Sequence, residues 1–480
     1  MVQGTASSAG KSTLVAGLCR LFARRGVRVA PFKAQNMSNN AAVCRDGEEI
    51  GRAQYAQAVA ACIEPTVDMN PVLLKPQPDG CQVVVHGRAC GVATAEQYFG
   101  GRSLDLWPSV TQSLDRLRAS YELVIAEGAG SPAEINLRSR DIVNMRVALY
   151  AQAVVLVVAD IDRGGAFASL LGTWSFLEPA ERALVRGFVL NKFRGDPGLL
   201  EPAPSLLHER TGVPVVGVVP FVDDLQLPDE DAASLLDRRP YSAEVEIAVV
   251  RLPHIANFDE FTPLAGEHAV HVRYVTSADE LRAPDLLILP GTKATIPDLL
   301  WLRERGLADR ITWLAAHDTP VLGVCGGYQM LGRRVSDPLH VESRVACAEG
   351  LGLLPISTEL LASKRLARVH GTVAANGPGV WSALSGLPFE GYEIHNGATT
   401  GATRESAELA VGADGVVAGT YVHGLLESAA VRDALVQALA ARRGFDWRPE
   451  RADTDAYDRI AHVLEVSLDL SWARSVRSDG

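Results

Sequence analysis

The opening stretch MVQGTASSAGKSTLVAGLCRLFARRG (Met1–Gly26) reads as a strand end, a glycine-rich turn and a helix. Leu14, Val15, Leu18, Leu21 and Phe22 share one face at helical spacing, and Gly26 supplies a C-terminal stop. The turn closes on AGKST (Ala9–Thr13). In a loop of the form G-x-x-x-x-G-K-[ST], backbone N–H groups and a helix N-terminus face phosphate, and the Lys reaches the β/γ oxygens. Here Thr5 stands where the first glycine of that form belongs, and the glycine sits one place earlier, at Gly4. The remaining elements are intact. The loop is expected to bind ATP through Gly4, Thr5, Gly10, Lys11, Ser12 and Thr13, with Ser12 or Thr13 on Mg²⁺. Only Met1–Gln3 precede Gly4, so the expectation is a very short first strand, or a natural start lying upstream.

Further along, short runs rich in Val, Ile and Leu alternate with helical patterns. Val27–Lys33, Glu122–Gly128, Ala153–Asp162, Gly187–Phe193 and Pro214–Pro220 read as buried strands. Such alternation predicts a parallel, doubly wound α/β sheet. Ligands of these sheets gather at the carboxyl ends of strands. Two strand ends there carry chemistry: Glu127, beside glycines, is a candidate metal carboxylate, and Asn191, in NKF, is a candidate for reading an adenine edge. The charged segment Leu227–Glu244 reads as a domain junction. A second α/β series follows in Glu246–Pro253, Asp285–Gly291, Pro320–Gly327 and Val416–Gly424, and a helical pattern near Tyr457–Leu470. The expected division is 1–235, 245–440 and a C-terminal helical extension over 441–480.

The totals narrow the function. A chain of 480 residues exceeds one ordinary core. A net charge of −11 argues against nucleic acid and against acidic membrane surfaces as partners. Seven cysteines with no C-x-x-C pair argue against a disulfide or zinc framework and fit a reducing cytoplasm. The longest apolar run, near Ala151–Ala159, is too short to span a bilayer.

The second half carries VLGVCGGYQMLG (Val321–Gly332). A strand runs through G-x-C-x-G into an apolar helix, a turn that lifts Cys325 out as a nucleophile. The N–H of Gly326 can steady an oxyanion, the helix N-terminus favours thiolate, and a second donor is expected near Gly291 in LPGTK. A thiol nucleophile needs a base. His423, in TYVHGLLE, is the first candidate and His395, in GYEIHNG, its rival.

GVCGGYQ with a late His resembles class I, or triad-type, glutamine amidotransferases, whose fold is flavodoxin-like. The resemblance implies that Cys325 forms a glutamyl thioester and that Gln329 helps hold L-glutamine. The third member in that family is a Glu two residues after the His. Leu425 occupies that place here and Glu427 is the nearest acid, so a Cys–His pair is expected. The first half is similar to the dethiobiotin synthetase type of P-loop fold. Both halves together, with KAQNMSNNA (Lys33–Ala41), EIGRAQYAQA (Glu49–Ala58), MNPVLLKP (Met69–Pro76), EGAGSPAEINL (Glu127–Leu137), DIDRGGAFASLLG (Asp160–Gly172) and NKFRGD (Asn191–Asp196), resemble the cobyric acid synthase family.

That resemblance implies ATP- and Mg²⁺-dependent amidation of the b, d, e and g carboxylates of a corrinoid, adenosylcobyrinic acid a,c-diamide, through acyl phosphates. It implies further roles: Lys33 on phosphate, Glu49, opening a helix, as a second metal carboxylate, and Asp160 and Asp162 positioning metal or ammonia. Gln35, Asn36, Ser38 and Asn39 are the expected corrinoid contacts. An a,c-diamide synthase, a partitioning-type ATPase and an inactive amidotransferase scaffold are the alternative readings.

Overall fold

The computed structural model describes residues 1–480 except 224, 226, 228–243, 376–377, 402–408, 451–454 and 472–480. The expected junction therefore lies almost wholly outside the described residues.

Val2–Gly4, Val155–Asp160, Val185–Phe193 and Val215–Pro220 form a parallel sheet in that order. The parallel pair Val29–Phe32 and Leu123–Ala126 extends it through a bridge from Glu127 to Val2. Period two explains why both faces are covered. Leu156 and Val158 pack with Leu14, Val15 and Leu18 of the helix Lys11–Arg24. Val155, Val157 and Ala159 point the other way, onto Ala148 and Leu170. The first helix stops where expected, with Gly26 in the left-handed region at φ 76°.

The second sheet runs Val270–Val275, Val245–Val250, Leu286–Leu289, Val321–Val324, Val417–Thr420 and Ala410–Val411, parallel except for the last strand. Its helices Thr295–Glu304 and Leu307–Ala316 cover one face and Ala429–Arg443 the other. No helix among the described residues is long and apolar enough to cross a membrane.

Smaller sheets join the two units. Gln35–Met37, Val72–Gln77, Gly80–Val85 and Arg88–Ala93 form one, and Ala41–Val43 pairs with Glu49–Gly51. Glu49 thus lies on a strand and the helix begins at Arg52, which corrects its expected place at a helix start. A long antiparallel pair, Ser357–Thr372 with Pro388–Thr400, leans across from the second unit. Its Tyr392 and Ile394 pack into the apolar cluster of the first unit.

The tail helix, Ala456–Ser467, does not extend away. It packs on the first helix, where Gly17 leaves room for Ile460 and Leu464; a Cβ on Gly17 would stand 2.6 Å from Leu464 Cδ1.

Candidate functional site

The opening loop is built as a phosphate cradle. Gly10 holds φ 94°, and a Cβ there would lie 2.1 Å from Asn191 Nδ2. Lys11 Nζ reaches back over the loop to Ala6 O (2.9 Å) and Gly130 O (3.0 Å). A Cβ at residue 4 would sit 2.9 Å from that Nζ, which is why the displaced glycine, Gly4, still serves. Asn191 Nδ2 donates to Ala9 O at 2.9 Å, so this amide braces the loop and its donor is not directed at a base.

Glu127 is 1% exposed and gathers the site around it. Ser12 Oγ donates to its Oε1 at 2.8 Å, Lys33 Nζ stands 3.0 Å from the same oxygen, and Gln57 Nε2 donates to Oε2 at 2.6 Å. A hydroxyl and a carboxylate at the mouth of a phosphate loop are hard oxygen donors, the set that suits Mg²⁺, so these residues fit that ion. The adjoining cavity, about 570 Å³, is lined by Ser12, Thr13, Lys33, Gln35, Asn36 and Lys192 among others. Gln35 accepts from Tyr98 Oη at 2.5 Å, and Asn36 donates to Gln54 at 3.0 Å. Asp160 accepts from Lys192 Nζ at 2.8 Å, and that Nζ also caps Ser8 O at 2.9 Å. Asp162 pairs with Arg194 at 3.5 Å near the same rim. Ser38 Oγ accepts from Asn40 N at 3.1 Å.

Glu49 and Asn39 lie elsewhere. Both oxygens of Glu49 are taken by lysines, Lys75 and Lys364, each at 2.6 Å. Burial alone would raise this carboxyl, but Lys364 and Lys75 hold it well below the carboxylate range. It does not line the nucleotide cavity. Asn39 lines the cavity at Cys325, together with Lys75, Lys293 and Lys364. The motif KAQNMSNNA thus runs from one centre to the other.

At the second centre Cys325 caps the short helix Gly326–Leu331 with φ 52° and ψ −106°, a strained elbow. Neighbouring glycines make it feasible: a Cβ on Gly327 would meet Leu289 O at 2.0 Å, and one on Gly323 would meet Tyr328 N at 2.8 Å. Gly291 allows the imidazole in, since a Cβ there would lie 2.8 Å from His423 Cε1. The Cys325 thiol and the His423 ring line one cavity, and the thiol donates to Ile394 O at 3.5 Å. Gln329 is fixed between Thr295 Oγ1 (3.2 Å) and Tyr421 Oη (3.2 Å).

The acid behind the histidine is Glu260. His423 Nδ1 and Glu260 Oε1 are 2.9 Å apart, and Gly424 N donates to Glu260 Oε2 at 3.0 Å. Glu260 lies in a short turn, Phe258–Phe261, following the first strand of this sheet. Burial alone would lower the imidazole, but Glu260 and Cys325 carry it up to about 10. A buried imidazolium–carboxylate pair beside a thiol holds a proton for a leaving group. Glu427, the acid nearest in sequence, instead meets Arg52 at 2.5 Å. His395 stacks on Tyr421 at 3.8 Å and hydrogen-bonds Gly397 O at 2.8 Å, and takes no part in the pair.

Comparison with known proteins follows the same division. A model of the CobQ/CobB/MinD/ParA nucleotide binding domain matches residues 1–234, and one of the CobB/CobQ-like glutamine amidotransferase domain matches 246–431. The second match sets aside the partitioning-ATPase alternative. The chain is 48% identical to a cobyric acid synthase of Moorella thermoacetica, over 94% of this chain and 90% of that one. It is 48% identical to one of Sorangium cellulosum over 98% and 96%, and 48% identical to one of Chloroflexus aggregans over 97% and 95%.

Proposed function

The chain belongs to the cobyric acid synthase family, glutamine-dependent amidating ligases of cobalamin biosynthesis that use ATP, and from that premise we propose how its two centres divide the work. The substrate is adenosylcobyrinic acid a,c-diamide, and the b, d, e and g side-chain carboxylates become amides, giving adenosylcobyric acid. Mg²⁺-ATP supplies the phosphoryl group that turns each carboxylate, a poor acyl donor, into an acyl phosphate.

Gly10 and the N-terminus of the first helix receive the phosphates, and Lys11 and Lys33 neutralise charge there. Ser12 and Glu127 hold the metal. Gln35 and Asn36, on the wall of the same cavity, present amides to the corrinoid's polar rim. At the other centre Cys325 attacks the carboxamide carbon of L-glutamine. Gly326 N–H and the Gly291–Thr292 backbone face the developing oxyanion. His423 delivers its proton to the departing ammonia while Glu260 holds the ring. Water then cleaves the glutamyl thioester, releasing glutamate and returning the Cys325 thiol, and ammonia attacks the acyl carbon of the acyl phosphate, forming the amide as phosphate leaves.

The observation that carries this reading is the buried His423–Glu260 pair against Cys325, in one chain with the Ser12–Glu127 pair. Cys325→Ala tests it. With corrinoid and Mg-ATP, the variant is expected to lose glutamine-driven amidation, followed as successive mass changes, and to keep ammonium-driven amidation. Loss of both activities would refute the division of labour.

A further inference from the structure

One short helix, Arg52–Ala60, reaches both centres. Arg52 belongs to the first unit, yet its guanidinium is seated in the second. Nε donates to Asp259 Oδ2 at 2.7 Å and a terminal nitrogen to Glu427 Oε1 at 2.5 Å. Its carbon stands 5.8 Å from the centroid of the Tyr392 ring. Each of these groups adjoins the catalytic histidine. Asp259 directly precedes Glu260. Glu427 ends the turn Leu425–Glu427 that follows His423. Tyr392 stacks on the imidazole at 5.5 Å and exchanges two backbone hydrogen bonds with His423. Arg52 is 8% exposed, so little water is at hand to replace it.

Five residues later, about 7.5 Å along a helix axis, Gln57 serves the other centre. Its Nε2 donates to Glu127 Oε2 at 2.6 Å and to Ser12 O at 3.4 Å. Between them Gln54 accepts from Asn36, tying the helix to the strand that walls the nucleotide cavity. Neither Arg52 nor Gln57 touches a reacting atom. A cation drawn to Ser12 and Glu127 acts on the carboxylate that Gln57 grips, and a packed helix passes displacement on as a unit.

We propose that Arg52 and Gln57 are positioning residues through which loading of the nucleotide site sets the His423–Glu260 pair, so that glutamine is cleaved mainly when an acceptor is being activated. This rests on the two-centre reading above. Three rates in the full-length protein test it: glutamate release alone, glutamate release with Mg-ATP and corrinoid, and ammonium-driven amidation. The wild type is expected to release glutamate faster when loaded. Arg52→Met is expected to lower glutamine-driven amidation about tenfold relative to the ammonium-driven rate. Arg52→Lys should recover it only in part, because one ammonium does not reproduce a fork held by two carboxylates. Gln57→Leu is expected to reduce the stimulation of glutamate release by Mg-ATP and corrinoid towards one.

Proportional loss of both amidation rates in Arg52→Met would overturn the proposal, as would wild-type stimulation in Gln57→Leu, or a wild type indifferent to loading. Should Arg52→Met fail to fold, Arg52→Lys carries the same comparison. A wild type that releases no glutamate under any condition brings down the Cys325 reading itself, which separates the two failures.

Discussion

Glu260 stands 163 residues ahead of the histidine it orients. No local spacing announces it, because this acid arrives through the sheet: the turn bearing it follows Val245–Val250, two strands away from Val321–Val324, which leads into Cys325. Cys325 and His423 were legible because glycines and a strand end surround each of them. The acid was not, since NFDEF resembles any polar turn; its place after a buried strand is the one signal that pointed to it. Glu260→Gln is expected to lower glutaminase kcat by about 10²-fold or more while ammonium-driven amidation persists. Glutamate release and ammonium-driven turnover, measured side by side, check this.

The same pair gives a pH signature. The folded imidazole, at about 10, lies above the ordinary 6.5, so its stabilising contribution is complete below 6.5 and is lost as pH rises through 10. Melting temperature should therefore fall across that window more steeply in the wild type than in Glu260→Gln. Parallel melting profiles of the two proteins would contradict the pairing.

At the scale of elements, the parallel strands were readable because continuous Val, Ile and Leu runs have few other uses. The small sheets were not. Gln35–Met37 and Glu49–Gly51 are three residues each, too short for a period. Ser357–Thr372 carries Lys and Arg on a ribbon with many exposed positions, so no apolar alternation marks it. These unannounced pieces bring Glu49 under Lys364, a partner supplied by the other unit. Burial already pushes the Lys364 ammonium down to about 7, so Glu49→Gln, which removes the counter-ion it shares with Lys75, is expected to drive Lys364 neutral and to cost about 3 kcal/mol. Urea unfolding checks this, and Glu49→Gln combined with Lys364→Met should recover part of the loss.

Across the whole molecule, the two units do not simply follow one another along the chain. Residues 456–468 return from the second sheet to the first helix, and Leu468 bridges back to Gly217 on the edge strand. Ile460, Leu464 and Leu468 are all buried there. Burial of three such side chains is worth roughly 5–9 kcal/mol, comparable to the whole margin of a domain. A chain ending before Asp455 is expected to lose cooperative melting of the first unit and ammonium-driven amidation, while the second sheet still melts as a unit in calorimetry.

That return has a meaning for biosynthesis. At ordinary ribosomal speeds, roughly tens of seconds separate completion of the nucleotide-binding strands from emergence of the segment that shields their first helix. Through that interval the face of the first helix around the notch at Gly17, which receives Ile460 and Leu464, has no cover. The nascent polypeptide is then a natural client for chaperones, and a ribosome stalled late in the message leaves behind a sticky fragment where a spare ATP-binding module would be expected.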